Sequence, residues 1–505
     1  MISVPAIRVQ TCNEAPIRID GDFVLYWMVA FRRTTWNFSL QRAVEWAKDL
    51  KKPLVIFEPL RIGYRWASDR LHRFVLDGMA DNLRQLEPLR GHGVYYYPYV
   101  EAAPDQGKGL LASLAGHACV VVTDEYPSFF LPRMVRAAAQ QLSVRQEQVD
   151  SNGLLPLRAA DRVFASALAF RSFLQKELRP HLEAFPRPDP LASVRLPPRC
   201  SLPAGIVRQW PAANVPLLKG NPRVLARLAI DHTVRPVGYR GGSVPARTGL
   251  RQFLGRKLRA YAAQANHPDD DVRSSLSPYL HFGHLSAHEV FFELARQEDW
   301  SPAEISSRSG GRREGWWGMS PSAAAFLDQF VTWRELGYNM SSHRDDHDRF
   351  ESLPAWARAT LARHASDPRP HVYTLDEFES GRTHDPLWNA AQAQLVREGR
   401  IHNYLRMLWG KKILEWTAGP EDALAVMIEL NNKYAVDGRD PNSYSGIFWV
   451  LGRYDRPWGP DRPIFGTVRY MTSQSTIRKL RLREYLVEFG SGGQPEDRKR
   501  INVRG

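Results

Sequence analysis

RIHNYLRMLWGKKILEW, residues 400–416, decides how the larger part of this 505-residue chain folds. Ile401, Tyr404, Leu405, Leu408, Trp409, Ile413 and Trp416 follow the 3, 4, 7, 8 spacing of one apolar stripe, which predicts an amphipathic helix. On such a helix Trp409 and Trp416 stand nearly in line, two turns or about 10 Å apart along the axis. A stripe of this kind by itself asks only for a core to bury it. His402, Asn403 and Arg406 accompany this one, however, and a second predicted helix leads into ELNNKYAVDGRDPN at 429–442, with Asp437 and Asp440. A cation, carboxylates and amides gathered near an aromatic wall suit a planar, hydrogen-bonding cofactor better than a plain core.

Helical patterns surround this stretch from about residue 236 to 490, interrupted by SSRSGGRREGWWGMSPS at 306–322, which reads as a mobile loop. Upstream, nine prolines between Ala184 and Pro222 exclude a long helix or a central strand. They predict an extended, partly helical connector over 166–235, with Trp210 as a hydrophobic anchor. The first 165 residues differ in kind. DFVLYWMVA (22–30), PLVIF (53–57), GVYYY (93–97) and ACVVV (118–122) are apolar runs of strand length. SVRQEQV adds a short strand-like segment, and helical segments at 38–50, 68–86 and 133–142 alternate with the strands. That alternation predicts an α/β domain with a parallel, doubly wound sheet, followed by an all-α domain.

The formal charge of +14 makes a polyanion a natural partner. The excess is concentrated beyond residue 452, where twelve Lys/Arg face six Asp/Glu, and residues 491–505 read as a basic flexible tail. Cys12, Cys119 and Cys200 are too widely spaced for a disulfide framework or a zinc site, which points to a reduced, intracellular protein. The N-terminus has no signal-peptide pattern and no apolar run reaches spanning length, so a soluble, cytoplasmic monomer is expected, nuclear if the source is eukaryotic. Neither G-x-G-x-x-G nor a P-loop is present, and Gly107-Lys108-Gly109 lacks the rest of one. HRDDH at 343–347 has two histidines at i, i+4 but no third ligand, so no metal is expected.

RSSLSPYLHFGHLSAHEV begins at Arg273, and consecutive small hydroxyl residues before a helix suit either an N-cap or an anion. SSLSPYLHFG, FLDQFVTWREL (326–336), DPLWNAAQ (385–392), HNYLRMLWGKKILEW, LNNKYAVDGRDPN and RPIFGTVRYM (462–471), in this order and spacing, closely resemble the class II cyclobutane-pyrimidine-dimer DNA photolyases. The resemblance covers nearly the whole chain. It implies an antenna-type α/β domain over 1–165, with an antenna chromophore of deazaflavin or folate type as an open expectation. It further implies a helical domain over 236–490 holding FAD and binding DNA that contains pyrimidine dimers. By the same resemblance Ser274, Ser275, Leu276 and Ser277 form the pyrophosphate loop, helped by Tyr261. Asn431 faces flavin N5, Arg406 and Asp437 flank the isoalloxazine ring, and Asp440 belongs to the same loop. Trp409, Trp388 and Trp416 form an electron relay, Trp333 and Trp449 line the lesion pocket, and Arg456, Arg462 and Arg469 face DNA, with Arg478, Lys479, Arg481 and Arg483 behind them.

Two departures from that pattern stand out. The family's second acidic residue, one turn before Trp333, is Gln329 here, which can donate a hydrogen bond but carries no transferable proton. FRRTTWNFSL after the first strand has Trp36 before Asn37 in place of the family's Asp-Asn, which leaves the antenna open. The expected activity is light-driven dimer repair by electron transfer from reduced FAD. The alternatives are a cryptochrome-like blue-light receptor and a related flavoenzyme acting on another lesion or substrate.

Overall fold

The apolar run at 22–30 supplies one of the four interior strands of a six-stranded sheet. The computed structural model describes residues 3–198 and 202–490; Cys200 and the basic tail at 491–505 lie outside them. The strands are β1 (Val9–Thr11), β2 (Phe23–Trp27), β3 (Leu54–Leu60), β4 (Val94–Val100), β5 (Ala118–Asp124) and β6 (Gln146–Val149), in the order β1-β6-β5-β2-β3-β4. All neighbours are parallel except β1, which runs antiparallel along β6 with Val9 opposite Val149. That edge strand was not expected: Val-Gln-Thr is short and half exposed, so it carries no apolar run. Every residue of β2 and β5 is buried, as strands covered on both faces must be.

At the end of β2 the chain turns sharply, and Asp124 at the end of β5 holds the turn. Its Oδ2 accepts from the N–H groups of Val29, Ala30 and Phe31 at 2.9, 2.8 and 2.9 Å, while Tyr26 donates to Oδ1 at 2.8 Å. This is the crevice where parallel sheets commonly cradle a phosphate. The chain's own carboxylate takes these donors, in agreement with the missing glycine signature. Asn37 is likewise structural: it caps the helix Phe38–Asp49 by accepting from Leu40 N–H at 3.2 Å and donates to Tyr26 Oη at 3.0 Å.

The chain forms two compact units. The first takes the residues up to Asp161 with Leu174–Gln252 and Ser275–Ser307; the second takes Arg162–Phe173, Phe253–Ser274 and the described residues from Arg308 onward. The proline-rich connector is more structured than proline density suggests. Beyond the helix Ala167–Glu177 and a 3-10 turn at Arg179–Glu183, it contains the short helices Ala204–Gln209, Val215–Leu218 and Pro222–Leu225, the last two with proline in the first turn, where a missing N–H costs nothing. Trp210 does anchor it: its indole donates to Gln106 O at 2.8 Å, and its carbonyl accepts from Tyr97 of β4. The stretch at 306–322 is irregular but tethered by Trp316 and Trp317, both buried and packed edge to face at 4.6 Å.

In the second unit the helix Asn403–Trp416 lies at the centre, against Pro386–Glu398, Pro420–Tyr434 and Pro441–Val450. It starts later than the stripe suggested. Ile401 precedes it, and His402 caps it through Nδ1, which accepts from Tyr404 N–H at 3.2 Å. From Leu408 to Leu414 every residue is buried, so the helix is covered all round rather than on one face. Gly410 permits this: a Cβ there would stand 2.5 Å from Val450 Cγ2 and 3.1 Å from Met427 Sδ.

Candidate active site

Three indoles meet around the central helix. Asp385 caps the helix Pro386–Glu398 by accepting from Leu387 and Trp388 N–H at 3.0 and 3.1 Å, which sets Trp388 on its first turn. The Trp388 indole donates to Trp409 O at 3.0 Å, and the Trp409 indole donates to Gln392 Oε1 at 2.9 Å. The Trp388 and Trp409 rings are parallel within 4° with centroids 6.4 Å apart; Trp416 meets Trp388 edge-on at 6.1 Å. Trp416 in turn touches His384 at 4.9 Å and Tyr373 at 5.8 Å, and Tyr373 Oη lies 2.6 Å from His384 Nδ1. The path runs from the buried Trp409 to half-exposed Tyr373 without a gap between rings.

A second group is ionic. Asp437 is buried, yet its Oδ1 has no hydrogen-bond partner, and neither has Arg406 Nε. Asn431 is buried on the helix Pro420–Tyr434; its Nδ2 donates to Gly438 O at 2.8 Å and to Ser443 Oγ at 3.1 Å. Asp440 plays a structural part, since it caps Pro441–Val450 by accepting from Asn442 N–H at 2.9 Å and accepts from Tyr338 at 3.0 Å. Arg273, which the sequence reading passed over, is deeply placed; burial and then the nearby Arg400 lower it to about 10, and its Nε is unpartnered. His402, fully buried, is held far below the ordinary imidazole range by burial and then by Arg273, so it is neutral. Tyr261 packs edge-on to Phe253 and Phe326, and burial raises it to about 12. Ser274 belongs to the second unit and Ser275 to Ser277 to the first; Ser275 has a left-handed φ of +54°, and Leu276 is buried.

A third group is aromatic and basic. Asp328 to Trp333 form a wide i→i+5 turn between the helices Pro321–Leu327 and Arg334–His343, a feature frequent at functional sites. Asp328 points inward to Arg171 at 2.7 Å, Gln329 is exposed, and Trp333 is half-buried. Trp449, half-buried near the end of Pro441–Val450, has Lys411 Nζ 5.2 Å and Arg469 Cζ 5.5 Å from its centroid. Arg469 also pairs with Asp455 at 3.0 Å and stacks on Trp458 at 4.0 Å. Arg456 stacks on the same Trp458 at 4.3 Å, and Arg462 on Tyr470 at 5.2 Å. The three arginines are thus ordered by aromatic planes rather than loose in solvent. Arg481 is engaged by Asp270. His343 and His347 are used locally, the first bonding Asn339 O and the second Arg344 O. No cluster of three potential metal ligands occurs among the described residues.

A parallel-sheet unit and a helical unit define a fold shared with a bacterial class III photolyase from Agrobacterium tumefaciens. The TM-score is 0.61 at 16% identity, over 93% of this chain and 86% of that one. Sequence relatives give the family. The chain is 33% identical to the deoxyribodipyrimidine photo-lyase of Methanothermobacter thermautotrophicus over 96% of its own length and 98% of the relative's. It is 31% identical to that of Arabidopsis thaliana over 92% of this chain and 88% of the relative. It belongs to the deoxyribodipyrimidine photo-lyase family. No protein-family model matches it.

Proposed function

We infer that the protein is a class II, FAD-dependent photolyase that splits cyclobutane pyrimidine dimers in DNA under blue or near-UV light. The observation that carries this reading is the contiguous path Trp409–Trp388–Trp416, a stacked step of 6.4 Å followed by an edge-on step of 6.1 Å, within one unit that also holds Arg406 and Asp437 with unpartnered buried atoms. Orphaned polar atoms of this kind cost free energy unless a ligand pairs with them. Their chemistry fits a flavin: Arg406 and Asp437, each with one unpartnered buried atom, would serve the ring together with Asn431, and Arg273, whose Nε is unpartnered, would serve the pyrophosphate beside Ser274. Bound FAD supplies a light-absorbing one-electron donor. The indoles supply oxidisable rings from solvent inward. Trp333 and Trp449 offer flat apolar faces to an extruded dimer, compensating roughly a few kcal/mol of unstacking. Arg456, Arg462 and Arg469 neutralise phosphates.

The test is illumination of the purified, photoreduced protein with dimer-containing DNA while base absorbance near 260 nm is followed. Light-dependent recovery is expected. Flavin photoreduction with no recovery would assign the chain to light sensing or to another substrate, the reading that exposed Gln329 favours; protein free of flavin would reject both.

A further inference from the structure

Lys411 is a buried cation that the tryptophan path and the cofactor residues leave without a task. It follows Trp409 by two positions on the central helix and is fully buried. Its Nζ donates to Val450 O at 2.5 Å and sits 5.2 Å from the ring centroid of Trp449. Among the described residues it forms no ion pair. The carboxylate that acts on it, Asp455, is committed to Arg469 at 3.0 Å and accepts from the Trp458 indole at 3.0 Å. The neighbouring charge on its own helix, Lys412, pairs with Glu415 at 2.6 Å, and the helix Pro420–Tyr434 meets this region through Met427. A desolvated ammonium with one carbonyl and one indole face is undercompensated. Such a group makes sense if its counter-charge arrives from outside.

We propose that Lys411 is a positioning residue of the substrate pocket, bracing Trp449 from within and gaining its charge partner when a dimer stacks on the outer face of that indole and brings the phosphodiester of its strand to the same wall. This rests on the reading of Trp449 as a wall of the dimer pocket. Burial, reinforced by Arg469 and opposed by Asp455, lowers Lys411 to about 7 in the free protein. An arriving anion favours the ammonium, so binding takes up a proton and tightens as pH falls through neutrality.

The experiment compares dark binding of a short duplex carrying one cyclobutane thymine dimer with binding of the undamaged duplex, from pH 6 to 8. For the unaltered protein the preference for dimer DNA should fall about tenfold across this range, the value for a two-unit rise on binding. Lys411→Met should flatten the profile, and Lys411→Arg, always charged, should keep tight binding without the pH dependence. An unchanged profile in Lys411→Met overturns the role of Lys411. Equal affinity for both duplexes at every pH in the unaltered protein overturns the dimer reading instead. Should Lys411→Met fail to fold, calorimetry of the unaltered protein at pH 7 decides. About half a proton more should be taken up with the dimer duplex than with the undamaged one, and equal uptake overturns the proposal.

Discussion

Trp388 shows how one side chain serves packing and electron supply together. It is fully buried, stacks on Trp409, meets Trp416 edge-on and donates to Trp409 O at 3.0 Å. Trp388→Phe keeps an aromatic core but removes the donor and the more oxidisable ring. The expected outcome is a loss of about 1–3 kcal/mol in stability, read by denaturant titration. Flavin photoreduction, followed by absorbance, should drop to the level seen without added reductant; an undiminished rate would remove Trp388 from the path. Gln329 poses the opposite case. It is exposed at the start of the wide turn that ends at Trp333, while its neighbour Asp328 is consumed by Arg171. Asp328 therefore does not stand in for the missing carboxyl. Gln329→Glu restores a transferable proton, and repair turnover should rise about a hundredfold or more, the order of a general-acid contribution. Unchanged turnover would show that the carboxyl is not what limits this chain.

The central helix carries the corresponding argument at the level of elements. In an exposed helix Gly410→Ala would stabilise by about 1 kcal/mol. Here the new methyl would stand 2.5 Å from Val450, a stiff β-branched residue that is itself buried, so overpacking decides the sign. A net loss of about 1–2 kcal/mol is expected, with a lower melting temperature as the readout; a gain would mean that the Pro441–Val450 helix yields freely. The same helix marks what was legible in the sequence. Strands β2 to β5 announce themselves as continuous apolar runs, and the helix by its stripe. The edge strand β1 does not, because three residues, half-buried Val9 and exposed Gln10 and Thr11, owe their conformation to β6 rather than to their own pattern. Trp388, Trp409 and Trp416 were legible through resemblance and meet as a contiguous set. Lys411 and Arg273 were not, since a lysine or arginine in a motif looks like any solvated charge until tertiary packing buries it.

Across the whole molecule, buried titratable groups set the response to acid. His72 and His284 in the first unit are fully buried and lowered to about 4 and about 3, in both cases by burial first, and His402 in the second is lowered further still. Each stays neutral when folded and binds a proton once unfolded, so the stability it contributes is complete above the unfolded value near 6.5 and is lost as pH falls below it. Glu125 acts in the reverse sense. Burial and then Asp150 raise it to about 7, so the folded state holds the extra proton between about 4.5 and 7 and one histidine is offset. For these four groups the balance at pH 5 is about two protons taken up on unfolding, or a slope of about 3 kcal/mol per pH unit. Melting temperatures measured between pH 4.5 and 6, with heats recorded in buffers of differing ionisation enthalpy, test this directly. A steep rise in stability with pH accompanied by net proton uptake on unfolding is expected. A flat profile would mean that these imidazoles are reached by water and protonate in place, which would remove the burial from which their shifts arise.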